Sequence, residues 1–174
     1  MKNCVHPRKA YNLMKTFLNT ASDLYCDDEK TEITLHKSDS FAAESVDCVA
    51  DCDTLEVYYN YDNLHDEGSK VFRSYWTKRE KMLKGFADIT LSLLHELGHL
   101  ETNDKVRKDF SYEMRQLTWS AIDFTYESIE EKNLKYFEMP DETAATEWAI
   151  KWLQNADNRK TAKAFEKRFM ACFA

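Results

Sequence analysis

Only three glycines and two prolines occur among the 174 residues of this chain. Both residue types interrupt helices and make tight turns, so their scarcity favours long helices joined by few connections. Apolar residues make up 43% of the sequence and charged residues 32%, the balance of an ordinary globular protein. A chain of this length buries a sizeable core without disulfide or metal crosslinks. We therefore predict one helix-rich domain that spans residues 1–174.

Charge and apolar pattern exclude two kinds of partner. The 24 basic and 31 acidic side chains give a net charge of -7, whereas a nucleic-acid-binding protein needs a basic surface. No segment has the apolar length of a secretory signal or of a membrane span. The five cysteines are an odd set without the spacing of a disulfide framework. We expect a cytoplasmic protein with neither a nucleic acid nor a membrane as its partner.

Hydrophobic periodicity divides the chain into a short β region and a helical remainder. A helical period over residues 8–25 gives way to alternation of apolar and polar residues in three segments, 33–35, 46–50 and 55–59. We therefore predict a three-stranded sheet over residues 31–61 and a polar loop over residues 62–69. Helical patterns follow over residues 71–84, 86–102, 104–130, 140–155 and 158–172. The predicted fold class is α+β, with a small sheet that precedes helix 86–102.

The segment 104–130 is long enough that we expect a break or a kink within it. Apolar residues recur at helical spacing on one of its faces, and we predict that Ala121 and Phe124 are buried members of this stripe. The residues of this face are Val106, Phe110, Met114, Leu117, Ala121 and Phe124.

The segment 95–99 reads His-Glu-Leu-Gly-His. Two histidines four residues apart lie on one face of an α-helix, where both imidazoles can bind a single ion. Glu96 is rotated by about 100° from His95, so its carboxylate can approach a metal-bound water without being a ligand. Zinc accepts imidazole ligands and lowers the pKa of bound water to about 7. The pattern predicts a zinc-activated water, with Glu96 as the general base that takes its proton.

The helix that carries this pattern is the most apolar of the chain, which predicts that it is buried. Its apolar residues are Ile89, Leu91, Leu93, Leu94, Leu97 and Leu100. Two histidines and a glutamate inside such a helix are costly to desolvate unless they have partners. A metal ion would satisfy them. Hydrogen bonds alone, without a metal, are the alternative interpretation.

A catalytic zinc site needs a third protein ligand and one open position. The metzincin arrangement, with a third histidine six residues after His99, is excluded because position 105 is lysine. The gluzincin arrangement takes a glutamate from a later helix, and Glu142 is the best candidate. Pro140 and Asp141 mark a helix start. Small and apolar residues continue the face on which Glu142 stands, so its carboxylate is expected to point inward. These residues are Ala145, Ala149 and Trp152 or Leu153.

Four other acidic residues are less suitable as ligands. Glu101 points about 200° away from His99 around the helix, and Asp104 would reach the metal only if the helix stopped early. Glu127 belongs to the polar side of a stripe in which Ala121, Phe124 and Ser128 are expected to be buried. Glu147 lies off the apolar face that Glu142 begins, so it should meet water. These acidic residues are Glu101, Asp104, Glu127 and Glu147.

The two motifs together, HELGH at 95–99 and E-x-x-A-x-x-W-A at 142–149, resemble those of the ImmA/IrrE-like metallopeptidases. These are gluzincin-type zincins common in bacterial and prophage genomes, and the likeness covers residues 31–155. It implies a zinc metalloendopeptidase with a zincin fold, in which His95, His99 and Glu142 hold Zn²⁺ and Glu96 is the general base. It also implies a protein or peptide substrate, such as a regulatory repressor. One departure is that Glu142 follows His99 by 43 residues, a longer connection than is typical of the family.

Two other functions fit the sequence less well. A degenerate peptidase would bind zinc and a regulatory partner without cleaving it, although an intact Glu96 speaks against this. A metal-free interaction domain would use none of the site chemistry. The group that stabilises the oxyanion is left open among Tyr126, Tyr136 and His65.

Overall fold

The computed structural model describes residues 4–26, 28–37, 48–59 and 69–173. Within these residues the α-helices are α1 (Pro7–Ala21), α2 (Ser69–Arg79), α3 (Asp88–Asp109), α4 (Tyr112–Thr125), α5 (Ile129–Phe137), α6 (Pro140–Gln154) and α7 (Ala156–Met170). The strands are β1 (Tyr25–Cys26), β2 (Glu29–Lys30), β3 (Thr34–Lys37), β4 (Cys48–Asp51) and β5 (Glu56–Tyr59), and a 3₁₀ helix spans Lys81–Gly85. The predicted α+β class with a helical majority is confirmed.

Strands β3, β4 and β5 form the predicted three-stranded sheet, in the order β3-β5-β4. Central strand β5 runs parallel to β3 and antiparallel to β4, and its Val57 pairs with Leu35 on one side and Ala50 on the other. Leu35 and Val57 are buried, as is Ile33 just before β3. The period of two therefore points these apolar side chains at the core, as expected for strands. Position 46 and residues 62–68 of the predicted loop over 62–69 lie outside the described residues, whereas Ser69 begins α2.

Helix α1 ends earlier than the periodicity predicted. The expected helix over 8–25 stops at Ala21, and Ser22 turns the chain by accepting a hydrogen bond from the N–H of Leu24 through its hydroxyl. Strands β1 and β2 then form a short antiparallel hairpin that the sequence did not predict. Similarly, the expected helix over 71–84 is α2 followed by the 3₁₀ helix. Short polar side chains that bond to the local backbone can end a helix at a point where apolar periodicity alone predicts that the helix continues.

Helix α3 is buried on every side over its first half, because all residues from Ile89 to Gly98 are inside the protein. It packs along α6 and also contacts α1 and β4. A helix that is apolar all round is expected at the centre of a core rather than at its surface. The HELGH segment therefore lies in the interior, as predicted.

The predicted boundary between helices 86–102 and 104–130 is wrong. Helix α3 continues to Asp109, and the Thr102 hydroxyl donates to the Gly98 carbonyl within the helix at 2.7 Å. The chain breaks instead at Ser111, whose hydroxyl caps α4 by accepting from the N–H of Met114. Ser128 caps α5 in the same way. The predicted segment 104–130 therefore includes the end of α3, the whole of α4 and the start of α5.

The predicted burial of Ala121, Phe124 and Ser128 is also wrong. Met114, Leu117 and Phe124 are 50%, 72% and 94% exposed, and Ala121 and Ser128 are exposed as well. The opposite face contacts the protein. Its residues are Arg115, Trp119 and Ile122. The physical reason is that Arg115 forms ion pairs with Asp141 and Glu142 at the start of α6. These ion pairs place the Arg115 face of α4 against the protein.

No helix among the described residues is long and apolar enough to span a membrane.

Candidate metal centre

Helix α3 brings His95 and His99 together as the spacing predicted. Their Nε2 atoms lie 3.2 Å apart and their rings meet edge to face. The side chain of His95 is 5% exposed and that of His99 is 16% exposed. Both histidines therefore present Nε2 to one point near the surface of the core.

Glu142 lies at the same point. Its Oε2 atom is 2.9 Å from Nε2 of His95 and 3.5 Å from Nε2 of His99, and its side chain is 1% exposed. The face of α6 that begins with Glu142 is buried as predicted, through Ala145, Ala149 and Leu153. The side chain of Glu147 is 68% exposed. Helix α6 thus directs one carboxylate inward and the other toward solvent.

A close approach of α3 and α6 makes this geometry possible. A Cβ atom on Gly98 would lie 2.4 Å from the carbonyl oxygen of Ala145 and 2.8 Å from its Cα. Real side chains do not approach backbone atoms so closely, so only glycine fits at position 98. The glycine of HELGH and the first buried alanine after Glu142 thereby allow the two helices to share one site.

The donor set fits a tetrahedral metal ion. Two imidazole nitrogens and one carboxylate oxygen, from His95, His99 and Glu142, are separated by 3.2, 2.9 and 3.5 Å. Bonds of 2.0–2.2 Å to a tetrahedral ion would separate its ligand atoms by about 3.3–3.6 Å. Shifts of a few tenths of an ångström would bring the three atoms to that spacing. This buried His-His-Glu group could therefore hold a metal ion.

Electrostatics in the group favour a cation. Burial alone would raise the pKa of Glu142, but the charge of His99 and hydrogen bonds from both histidines hold it well below its ordinary value. Burial opposes charging of His99, but Glu142 outweighs it and raises the pKa of His99 to about 9. The carboxylate of Glu142 thus favours a positive charge on His99. A metal ion would bind in place of a proton, as is usual for histidine ligands.

Glu96 lies beside the group and is not one of its members. It is buried, and burial raises the pKa of its carboxyl group despite the charges of His95 and His99. The backbone N–H of Ala50 in β4 donates a hydrogen bond to it. A raised pKa makes a carboxylate a better proton acceptor near neutral pH.

Two residues around His95 were not predicted from the sequence. The hydroxyl of Thr146 lies 3.2 Å from Nδ1 of His95, and the indole of Trp76 packs against the ring at 5.8 Å between centroids. Thr146 follows Glu142 by four residues on α6, so both flank the same imidazole from one helix face. Contacts of this kind fix the orientation of a ligating histidine. The four-residue spacing was the sequence signal for Thr146.

A third missed residue is Arg115 of α4. Its Nε donates to Oδ2 of Asp141 at 2.5 Å, and its Nη2 donates to the Tyr136 hydroxyl at 2.8 Å and to Oε1 of Glu142 at 3.1 Å. The Tyr136 hydroxyl also hydrogen-bonds Glu142, and burial raises its pKa. Arg115 is the single basic residue of α4, which was the only sequence signal for it.

The other predicted candidates lie away from the group or outside the described residues. Glu101 accepts hydrogen bonds from Ser22 and from the N–H of Asp23 at the end of α1. Asp104 and Glu127 are exposed. Tyr126 packs, like Tyr136, against a small cluster of Phe110, Ile122 and Met139. His65 lies outside the described residues. Among the three residues considered for the oxyanion, the structure places Tyr136 beside Glu142.

No protein-family model matches this chain, and neither does a curated protein or a solved structure. The resemblance to ImmA/IrrE-like metallopeptidases thus stays a prediction that rests on the two motifs. The His-His-Glu group does not depend on that resemblance, because it follows from the side-chain geometry alone.

Proposed function

We propose that this chain is a zinc-dependent metallopeptidase of the gluzincin type, similar to the ImmA/IrrE-like proteins. The observation that carries the proposal is the convergence of His95, His99 and Glu142 on one point, with Glu96 beside them. Two imidazoles and one carboxylate leave a tetrahedral ion with one open position, which is the arrangement of catalytic zinc sites. Structural zinc sites instead use four protein ligands.

Zinc is the metal that best suits these donors. It binds imidazole nitrogen and carboxylate oxygen in four-coordinate geometry. Magnesium and calcium prefer a set made only of oxygen atoms, and calcium prefers six to eight of them. The spacing of 2.9–3.5 Å between the three donor atoms is within a few tenths of an ångström of the spacing around a small tetrahedral ion.

The residues of the site would have separate roles in peptide-bond hydrolysis. Bound zinc supplies a Lewis acid that lowers the pKa of water and polarises a carbonyl group. Glu96 accepts a proton from the attacking water on a carboxylate oxygen and delivers it to the nitrogen of the leaving amine. Burial of Glu96 raises the pKa of its carboxyl group, which makes the carboxylate a stronger base for the first of these proton transfers. Thr146 and Trp76 hold the His95 ring in place.

The position of β4 supports a peptide as the substrate. Among the described strands, β4 lies at the outside of the three-stranded sheet, and it packs against α3. The outer edge of a strand can bind an extended peptide through backbone hydrogen bonds. Ala50 of β4 also contacts Glu96, so a peptide bound along β4 would pass next to the general base.

Cleavage of a complex peptide mixture tests the proposal. We expect new, sequence-selective cleavage products by mass spectrometry when peptides from a digested proteome are incubated with the protein. A chelator should abolish them and added zinc should restore them. A His95→Ala variant purified in parallel controls for contaminating peptidases. Zinc binding without any chelator-sensitive cleavage would refute peptidase activity and favour a regulatory zinc-binding protein.

A further inference from the structure

We propose that Arg115 is a positioning residue of the metal centre. It holds the oxygen of Glu142 that does not face the histidines, so that the carboxylate offers a single oxygen to the metal. This inference rests on the metal-binding part of the proposed function and does not require peptidase activity.

The two oxygens of Glu142 have different partners. Oε2 faces Nε2 of His95 at 2.9 Å and of His99 at 3.5 Å. Oε1 accepts a hydrogen bond from Nη2 of Arg115 at 3.1 Å. The carboxylate is therefore fixed at both ends, and a rotation that brought Oε1 toward the histidines would break the bond to Arg115. Ligating carboxylates are commonly oriented by hydrogen bonds of this kind.

The guanidinium is itself held from two further sides. Asp141 accepts from Nε and the Tyr136 hydroxyl accepts from Nη2. These partners come from α6 and α5, while Arg115 comes from α4, so three helices fix the plane of the guanidinium. Only arginine presents several donors in one rigid plane. A lysine ammonium could keep the charge but not all three of these hydrogen bonds.

Burial makes the arrangement costly to disturb. The side chain of Glu142 is 1% exposed and that of Asp141 is 16% exposed. Oδ1 of Asp141 is buried without a hydrogen-bond partner among the described residues. Its other oxygen, Oδ2, accepts a hydrogen bond from Arg115. Loss of Arg115 would leave the buried carboxylate of Glu142 and the partly buried carboxylate of Asp141 without their shared cation, which is unfavourable in a poorly solvated site.

The substitution Arg115→Gln tests this role through metal binding. We expect zinc affinity, measured by competition with a chromogenic chelator, to fall by about 10- to 100-fold, as is typical when a group behind a ligand is removed. Cobalt substituted for zinc reports coordination geometry through its visible absorption. We expect the spectrum of Arg115→Gln to change, because a freed Glu142 can bind through both oxygens.

Two further variants separate positioning from charge and from general stability. Arg115→Lys keeps the charge but should not restore the cobalt spectrum or the zinc affinity. Arg107 lies near the exposed end of α3 and donates a hydrogen bond to Asp53. The substitution Arg107→Gln should leave the cobalt spectrum and the zinc affinity unchanged. Thermal unfolding of the metal-free proteins shows whether each variant folds, and Arg115→Lys decides the question if Arg115→Gln does not fold.

Wild-type affinity and an unchanged spectrum in both Arg115 variants would overturn the inference. Full rescue by lysine would overturn it as well, since charge alone would then suffice. A wild-type protein that takes up neither zinc nor cobalt would instead refute the metal centre itself, so the two failures are distinguishable.

Discussion

Glu96→Gln is expected to bind zinc as the wild type does and to lose about 10²–10⁴-fold in peptidase activity, the usual cost of removing a general base. Glutamine has nearly the same shape as glutamate, and its carbonyl oxygen can still accept the hydrogen bond from Ala50. It cannot accept a proton from water. The fold and the metal ligands should therefore survive while proton transfer fails.

The measurement compares kcat for a peptide that the wild type cleaves, with zinc content determined on the same samples. Glu101→Gln is the matched control, because Glu101 is a partly buried carboxylate on the same helix whose hydrogen bonds go to the end of α1. We expect that control to keep its activity. Unchanged cleavage by Glu96→Gln would refute the proposed role of Glu96, and loss of zinc would make Glu96 a ligand instead.

Glu142→Ala is expected to weaken zinc binding by more than the roughly 10- to 100-fold that is typical of residues behind a ligand. The substitution removes one of three donor atoms and the negative charge that faces both histidines. His99 and Arg115 would then lie beside each other without their common anion. We expect this change in a competition titration with a zinc chelator.

Glu147→Ala provides the comparison on the same helix. Its carboxylate is exposed and lies 3.9 Å from Arg79, and exposed pairs of this kind contribute little. Its zinc affinity should match that of the wild type. Glu142→Gln preserves the shape at the site and should also bind zinc weakly if Glu142→Ala is poorly folded. A crystal structure with another carboxylate within about 2.0–2.2 Å of the metal would overturn the assignment of Glu142.

The parts of the site that depend on local geometry were predictable from the sequence. A spacing of four places His95 and His99 on one helix face whatever the rest of the fold does. Pro140 fixed the start of α6, and the small residues after Glu142 indicated which side of that helix is buried. Ala145 and Ala149 are indeed fully buried. Local rules sufficed because each of these features is contained within one helix.

Arg115 could not be predicted because its role depends on tertiary contacts. Apolar periodicity favoured burial of Ala121 and Phe124, yet both are exposed. The face of α4 that packs is chosen by an arginine that pairs with acids more than twenty residues later, Asp141 and Glu142. Periodicity within α4 contains no information about those partners.

The helix boundaries were predicted wrongly for a different reason. The predicted helix over 86–102 ended at Thr102, but the Thr102 side chain bonds within the helix and the helix continues to Asp109. The actual break is set by Ser111, which satisfies a free N–H at the start of α4. Capping residues and helix interiors use the same side chains, so their roles are decided by contacts that periodicity does not show.

The zinc content of the wild-type protein tests the central claim most directly. Protein purified without added metal should contain close to one zinc per chain by elemental analysis, because His95, His99 and Glu142 form one three-donor group among the described residues. Metal-free preparations should take up one equivalent on titration. A protein that is purified without zinc and binds none when zinc is added would contradict the account.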